Sequence, residues 1–384
     1  MRIAFDTYNL GISAGSGNRT YTVELIRALA GLATSDEWQL ITYWRKKRKT
    51  REIFGPAPQY AIRNTMPHPL LLGRQLMFLV DAMRPVFERL VARQCDLFHC
   101  TNPINFPLSA PRVVTTIHDL IVLHEEPWVP NYVKSFFREN VAAIVNRSLL
   151  IFADSAATLD DIVARYPAAR EKTAVIPLAV NPCFTRTASD RSFLSRYGLG
   201  DTERPYLLSV GEIQPRKNTL AMIECFESLA GRFPGVHFIL IGQARKNAYT
   251  GEVLRHIADS PVRDRIQILH SVGDDDLVRF YNHAEGMVYF SFFEGFGLPI
   301  LEAMACGCPV AASRTSSMVE IADGAAVMVD PHSFDAMRDG MLRLLDNNVL
   351  REELRAKGLK RAAQYSWKKT AELTYAGYKK ALNQ

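Results

Sequence analysis

Short apolar runs recur along the chain, separated by longer segments with helix-like spacing of apolar positions. In the first half the runs Arg2–Asp6, Gln39–Trp44, Leu97–Cys100, Val113–His118, Leu150–Asp154 and Ala174–Pro177 predict strands. In the second half the strand-like runs are Tyr206–Val210, His237–Ile241, Ile266–Leu269, Met287–Ser291, Pro309–Ala312 and Ala326–Val329. Strands alternating with helix-length segments argue for parallel α/β layers rather than a sandwich or a bundle. The pattern restarts after a stretch from Leu178 to Arg204 that carries Asn181-Pro182 and a serine and threonine cluster. We therefore expect two domains, at 1–180 and 200–365. Two parallel sheets facing each other make a cleft at the carboxyl ends of their strands, where open α/β sheets place ligands.

Composition narrows this only a little. The chain has 384 residues, 48% hydrophobic and 22% charged, as expected of a soluble globular protein with two cores. Met1 runs straight into a strand pattern with no apolar leader, and the apolar stretch Pro69–Val80 is interrupted by Arg74, too short to span a bilayer. A cytoplasmic location follows as an expectation. Six cysteines without paired zinc spacing read as free buried thiols. The net charge of +6 includes the run Arg45-Lys46-Lys47-Arg48-Lys49 with Arg51 beyond it. Such a run is a solvated loop or a contact with an anionic membrane face. The basic amphipathic segment Leu70–Arg93 either covers a core or lies in a membrane interface. Nucleic acid is a poorer partner, since no recognised reading module accompanies the charge.

The most informative string runs from Phe292 to Cys306, Phe-Phe-Glu-Gly-Phe-Gly-Leu-Pro-Ile-Leu-Glu-Ala-Met-Ala-Cys. Pro299 suits a first helical turn, and Ile300–Ala305 continue it. Glu294 then lies in a glycine-rich turn and Glu302 about one turn into the helix. With Gly295 and Gly297 removing bulk around Phe296 and Leu298, backbone N–H groups and the helix N-terminus can face one anion, and a diphosphate is the expected one. Carboxylates beside an anion site need hydroxyls to hold, and a sugar nucleotide supplies both parts.

Three further places carry candidate chemistry. Gly211 follows a strand and lets the backbone approach a ligand, while Arg216 and Lys217 offer a forked donor and a compact cation. Gly15-Ser16-Gly17-Asn18-Arg19 precedes a helical pattern but lacks the spacing of the dinucleotide fingerprint. His118-Asp119 stands at the carboxyl edge of a strand, with Asp119 placed to orient the ring. Asp274-Asp275-Asp276, after Gly273, reads as the capped start of a helix rather than a metal site, so no metal is expected.

The Glu294 to Glu302 string, two glutamates separated by seven residues, resembles the signature of the large retaining, nucleotide-sugar-dependent glycosyltransferase family 4. The resemblance covers most of the C-terminal half and more thinly the N-terminal half. It implies the GT-B fold of two Rossmann-like domains, with a last helix, residues 366–384, that returns to the N-terminal domain. It implies donor contacts from Gly15, Gly17, Gly211, Arg216, Lys217, Glu294, Gly295, Phe296, Gly297, Leu298 and Glu302, and acceptor contacts from Asn18, Arg19 and Asp119. His118 would touch the donor sugar near the reacting carbon, so His118, Arg216, Lys217 and Glu294 form the expected catalytic set. The reaction implied is metal-independent and cofactor-free transfer of mannose or rhamnose from a GDP-sugar to a glycan or polyprenyl-diphosphate-linked acceptor in O-antigen or exopolysaccharide synthesis. Alternatives are a glucosyltransferase or glycogen-synthase-like enzyme using a UDP- or ADP-sugar, a sugar-nucleotide epimerase, and a noncatalytic sugar-binding subunit. Guanine and uracil are not distinguished by the residues around Gly242 and His270–Gly273.

Overall fold

The computed structural model describes residues 1–7, 10, 17–32, 34–43, 47–55, 60–66, 94–103, 112–124, 128, 131–188, 191–199 and 204–383. It separates into two compact units, Met1–Leu178 with Ser366–Gln384, and Ala179–Tyr365.

The first unit runs β1 (Arg2–Asp6), α1 (Gly17–Ala30), β2 (Glu37–Tyr43), α2 (Lys47–Phe54), β3 (Tyr60–Met66), β4 (Leu97–Cys100), β5 (Val113–Ile117), α3 (Asn131–Arg147), β6 (Leu150–Ala153), α4 (Ala156–Arg165) and β7 (Thr173–Val175). These strands form one parallel sheet in the order β3-β2-β1-β4-β5-β6-β7. The second unit runs β8 (Tyr206–Val210), α5 (Thr219–Ala230), β9 (His237–Ile241), α6 (Ala248–Asp259), β10 (Ile266–Leu269), α7 (Asp274–His283), β11 (Gly286–Tyr289), α8 (Leu298–Ala305), β12 (Val310–Ser313), α9 (Ser316–Ala322), β13 (Val327–Val329), α10 (Phe334–Asp346) and α11 (Asn348–Ala362). Its parallel sheet has the order β10-β9-β8-β11-β12-β13. Each sheet reverses direction between its first and fourth strands, the topological switch point at which doubly wound sheets bind ligands.

The central strands are buried along nearly their whole length, β4, β5, β6, β9, β11 and β12 completely. Continuous apolar runs are what a sheet covered on both faces requires. In the second unit Phe226, Phe238, Val288, Phe290, Met341 and Leu344 pack into one core. Each such side chain contributes roughly 1.5–3 kcal/mol by leaving water.

The chain ends in α12 (Trp367–Leu382), which packs on α1 and belongs to the first unit. Ser366 caps it by accepting Lys369 N–H, and Thr370 Oγ1 donates to the Pro177 carbonyl at 2.7 Å. Gly377 allows the close approach, since a Cβ there would stand 2.7 Å from the Phe152 ring.

Two expectations are corrected. The basic run does not continue as a loop: Lys47 opens α2, with Arg48 bonded to Glu52 one turn on and Thr50 and Phe54 buried. Lysine, arginine and glutamate are good helix formers, and Thr50 and Phe54, four apart, form an inward face. Arg45, Lys46 and the segment Leu70–Arg93 lie outside the described residues. None of the cysteines forms a disulfide, but Cys183 is exposed and Cys95 only half-buried. Among the described residues no helix is long and apolar enough to cross a membrane.

Candidate active site

In the second unit the switch point lies between β8 and β11, and the loops after these two strands carry the candidate residues. The β8 loop first meets the β9 loop. A Cβ on Gly242 would fall 1.8 Å from the Gly211 carbonyl oxygen, so Gly242 must lack a side chain. Gly211 has φ +153°, and a Cβ there would press on the Lys217 side chain at 3.2 Å. The glycine thus makes room for Lys217, a reason the sequence did not reveal. Pro215–Lys217 form one 3-10 turn, and Asn218, in left-handed conformation, leads into α5.

That turn brings two cations onto one carboxylate. Arg216 Nη1 lies 2.6 Å and Lys217 Nζ 2.7 Å from Glu294 Oε1. Arg216 also donates to the Phe293 carbonyl, and Lys217 to the Tyr289 hydroxyl. Burial alone would push the Glu294 carboxyl up, but the charges of Arg216 and Lys217 prevail and hold it at about 2. Burial, aided by Arg216, pulls the Lys217 ammonium down to about 8 against the Glu294 charge. Glu294 is therefore ionised at neutral pH and Lys217 mostly charged.

The glycine-rich turn is held from α9. Ser316 Oγ accepts Glu294 N–H, and Ser317 Oγ donates to the Glu294 and Phe296 carbonyls at 2.9 Å each. Gly295, Phe296 and Gly297 are buried, the Phe296 ring packing edge-on to Tyr365, while Leu298 opens α8 half-exposed. Gly297 has φ +103°, a conformation glycine adopts without strain. Glu302, in the second turn of α8, accepts a hydrogen bond from the Tyr281 hydroxyl at 3.1 Å. Burial raises its carboxyl to about 7, with the Asp274 charge adding and the Tyr281 bond opposing. The two glutamates thus differ: one is locked as a carboxylate, the other is poised to gain or lose a proton.

Asp274, Asp275 and Asp276 form the first turn of α7 after Gly273, and Asp276 pairs with Arg196 and Tyr197. Among the described residues no cluster of three or more His, Cys, Asp or Glu side chains could hold a metal ion. A cavity of about 880 Å³ opens beside the carboxyl ends of β9 and β10, lined by Gln243, Arg245, Asn247, Thr250, His270 and Ser271.

In the first unit the candidate residues again follow strand ends. His118, just after β5, places Nδ1 2.7 Å from Asp154 Oδ2 and Nε2 3.1 Å from the Thr101 carbonyl. Both partners only accept, so the ring satisfies both as the doubly protonated imidazolium. Burial would lower the His118 pKa, but the Asp154 charge and hydrogen bond outweigh it and raise it above 6.5. The expected orienting role of Asp119 is thereby corrected. Its carboxylate accepts Ile121 N–H, and the ring is oriented by Asp154, at the end of β6. Asp154 closes a strand legible in the sequence, and the carboxyl-end rule could have singled it out.

Gly17 opens α1, exposed; Asn18 and Arg19 follow, half-buried, and Arg19 Nε is buried with no hydrogen-bond partner among the described residues. Gly15 lies outside the described residues. Behind His118 stands a buried polar chain that sequence reasoning missed. Tyr378 of α12 bonds His99 Nδ1 at 2.6 Å, His99 Nε2 bonds Thr116 at 2.8 Å, and Thr116 bonds Tyr21, whose ring meets His118 edge-on. Complete burial, with the His118 charge adding, drives the His99 pKa down to about 3, so it is neutral.

Two parallel sheets of this order, with a cation–carboxylate cluster beside the α8 N-terminus, define a GT-B glycosyltransferase. The chain belongs to glycosyltransferase family 4: residues 15–183 match the family described as Glycosyltransferase Family 4, and residues 191–361 match Glycosyl transferases group 1. It is 30% identical over 381 residues to the O-antigen chain mannosyltransferase B of Escherichia coli, covering 95% of this chain and 96% of that one. It is 29% identical over 280 residues to the serotype-specific mannosyltransferase WbdA of Escherichia coli, but spans only 34% of that longer protein. Among solved structures, Anabaena HepE in complex with UDP and glucose superposes with a TM-score of 0.77 at 17% identity, covering 99% of this chain and 100% of that one. WaaG, a glycosyltransferase involved in lipopolysaccharide biosynthesis, does so with a TM-score of 0.69 at 16% identity, covering 97% and 98%.

Proposed function

We propose that this glycosyltransferase moves mannose or rhamnose from a GDP-sugar to a hydroxyl of a lipid-linked or growing glycan, retaining the anomeric configuration and using no metal or other cofactor. The observation that carries the reading is the Arg216–Lys217–Glu294 cluster beside the N-terminus of α8. Two cations held on one carboxylate, beside the positive end of a helix, suit a ligand that brings its own negative charge. The diphosphate takes over the bonds that Arg216 and Lys217 make to Glu294, and the carboxylate turns to the donor-sugar hydroxyls.

In the reaction the bond from the anomeric carbon to the diphosphate oxygen breaks, and the acceptor oxygen bonds to that carbon on the same face. The acceptor proton passes to the departing diphosphate. Arg216, Lys217 and the α8 N-terminus stabilise the growing phosphate charge, an effect stronger in the transition state than in the ground state. Glu302 takes the ribose hydroxyls, Gly211, Gly295, Phe296, Gly297 and Leu298 the backbone contacts to sugar and phosphate. His118 contacts the donor sugar, and Gly15 and Gly17 allow backbone approach to the donor. Asn18, Arg19 and Asp119 face the acceptor. A relative matched over nearly the whole chain is an O-antigen chain mannosyltransferase, which favours mannose and a polysaccharide acceptor. A lipid-linked acceptor calls for work at the cytoplasmic face of a membrane, where α2 offers exposed Arg48, Lys49 and Arg51.

The test is incubation with labelled GDP-mannose, GDP-rhamnose and UDP-glucose, a polyprenyl-diphosphate-linked acceptor, and chelator present or absent. Transfer from a GDP-sugar, unaffected by chelator, is expected. Epimerisation without transfer, or transfer only with added metal, contradicts the reading.

A further inference from the structure

Lys217 has three N–H donors, and the structure occupies two of them. One goes to Glu294 Oε1 at 2.7 Å, the other to the hydroxyl of Tyr289, the last residue of β11. The Tyr289 side chain is 2% exposed, and Lys217 Nζ also stands 4.5 Å from the centre of its ring. Burial and the nearby Glu294 charge both raise the pKa of that hydroxyl, and ammonium, phenol and carboxylate meet at Lys217 Nζ. The phenol oxygen accepts from Lys217.

A tyrosine at the end of a central strand could be a core residue and nothing more. The geometry points further. β8 and β11 are paired neighbours at the switch point, so a side chain ending β11 reaches beneath the loop that ends in Lys217. Burial keeps the phenol neutral at any physiological pH, which leaves it a permanent acceptor toward the ammonium. The groups facing Lys217 are Glu294 from the glycine-rich turn, Arg216 from its own turn, Glu212 from the β8 loop and Tyr289 from β11. Arg216 and burial disfavour the charged amine; Glu294, Glu212 and the phenol oxygen favour it. Once a diphosphate engages Glu294's cations, the phenol is the partner that stays.

We propose that Tyr289 is a positioning residue for Lys217, holding the ammonium charged and in place while its other N–H groups serve the donor diphosphate. The inference rests on the diphosphate role given to Lys217 above. Hydrogen bonds to charged groups contribute roughly 1.5–3 kcal/mol, hence about ten- to a hundredfold in kcat/KM.

The experiment compares kcat/KM for GDP-mannose against pH in wild type, Tyr289→Phe, Tyr289→Met and Lys217→Ala, with folding followed by circular dichroism. Wild type should lose activity as Lys217 deprotonates near its value of about 8. Both Tyr289 variants lack the acceptor, so their alkaline limb should move to lower pH and kcat/KM should fall about tenfold or more. Folded Tyr289 variants whose pH profile superposes on wild type, while Lys217→Ala is inactive, overturn the positioning role and leave the site reading intact. A Lys217→Ala enzyme with wild-type activity overturns the site reading itself.

Discussion

The two units share one topology, yet they build their candidate sites from different chemistry. The second unit collects full charges: Arg216 and Lys217 converge on Glu294, with Glu302 one helix turn away. The first unit uses a neutral relay of Tyr378, His99, Thr116 and Tyr21 behind a single histidine, His118, held by Asp154. The same sheet order fixes where a site lies, at strand carboxyl ends, and the loops decide what it can hold. A cation pair with a helix N-terminus suits phosphate, whereas one oriented histidine among hydroxyls suits sugar hydroxyls.

The largest expected effect tests the charged side of this contrast. Lys217→Ala or Arg216→Ala should each lower turnover by about a hundredfold or more, because a fixed charge at a developing anion is lost. Steady-state kinetics with saturating donor would show it, and a change under about threefold would place the cations outside the reaction.

A second effect separates the two glutamates. Glu302 sits near pH 7, so the free protein is protonated there below neutrality, and a ribose held by the carboxylate must displace that proton. Nucleotide affinity should fall up to tenfold per pH unit below about 7 and flatten in Glu302→Gln. Glu294, held at about 2, should add no such dependence in that range. Calorimetric titration from pH 8 to pH 5.5 reads both.

The neutral relay makes the opposite kind of prediction, on stability. His99 stays neutral in the fold down to about pH 3, while an unfolded histidine takes a proton near 6.5. Below 6.5 the unfolded chain binds the extra proton, so stability must fall as pH falls, by up to about 1.4 kcal/mol per pH unit. Trp38, Trp44, Trp128 and Trp367 are the four tryptophans, and all belong to the first unit, so tryptophan fluorescence during urea unfolding follows it alone. His99→Gln should flatten the slope between pH 6.5 and about 5. An unchanged slope would remove the relay from the account.

The smallest effect concerns α2. Replacing Arg48, Lys49 and Arg51 by serine should weaken binding to anionic vesicles by about 1 kcal/mol per residue at the surface, and less in high salt. Sedimentation with vesicles measures it; wild type that ignores them at low salt leaves α2 an ordinary solvated helix.

The contrast also explains what could be read from the sequence. Strand cores were legible because buried parallel strands are continuous apolar runs, and Tyr206–Val210, His237–Ile241 and Ile266–Leu269 are found with the bounds read from the pattern. Edge strand β3 was missed, its Arg63 and Asn64 breaking the run, and α2 was hidden inside a charge cluster. The loop placement of Glu294 and the helical placement of Glu302 were legible because the two lie in one short string. The partners of His118 were not, since Asp154 and Thr101 reach it from other strands and only sheet order brings them together. Tyr289 carried no signal at all, as its spacing is that of any core residue.

The most direct measurement is the affinity of GDP against GMP, and of UDP against UMP, for wild type and the Arg216→Ala/Lys217→Ala double variant by isothermal titration. The account predicts that wild type binds at least one diphosphate about tenfold or more tighter than its monophosphate, and that the preference collapses in the double variant. A double variant that keeps the full preference would contradict it.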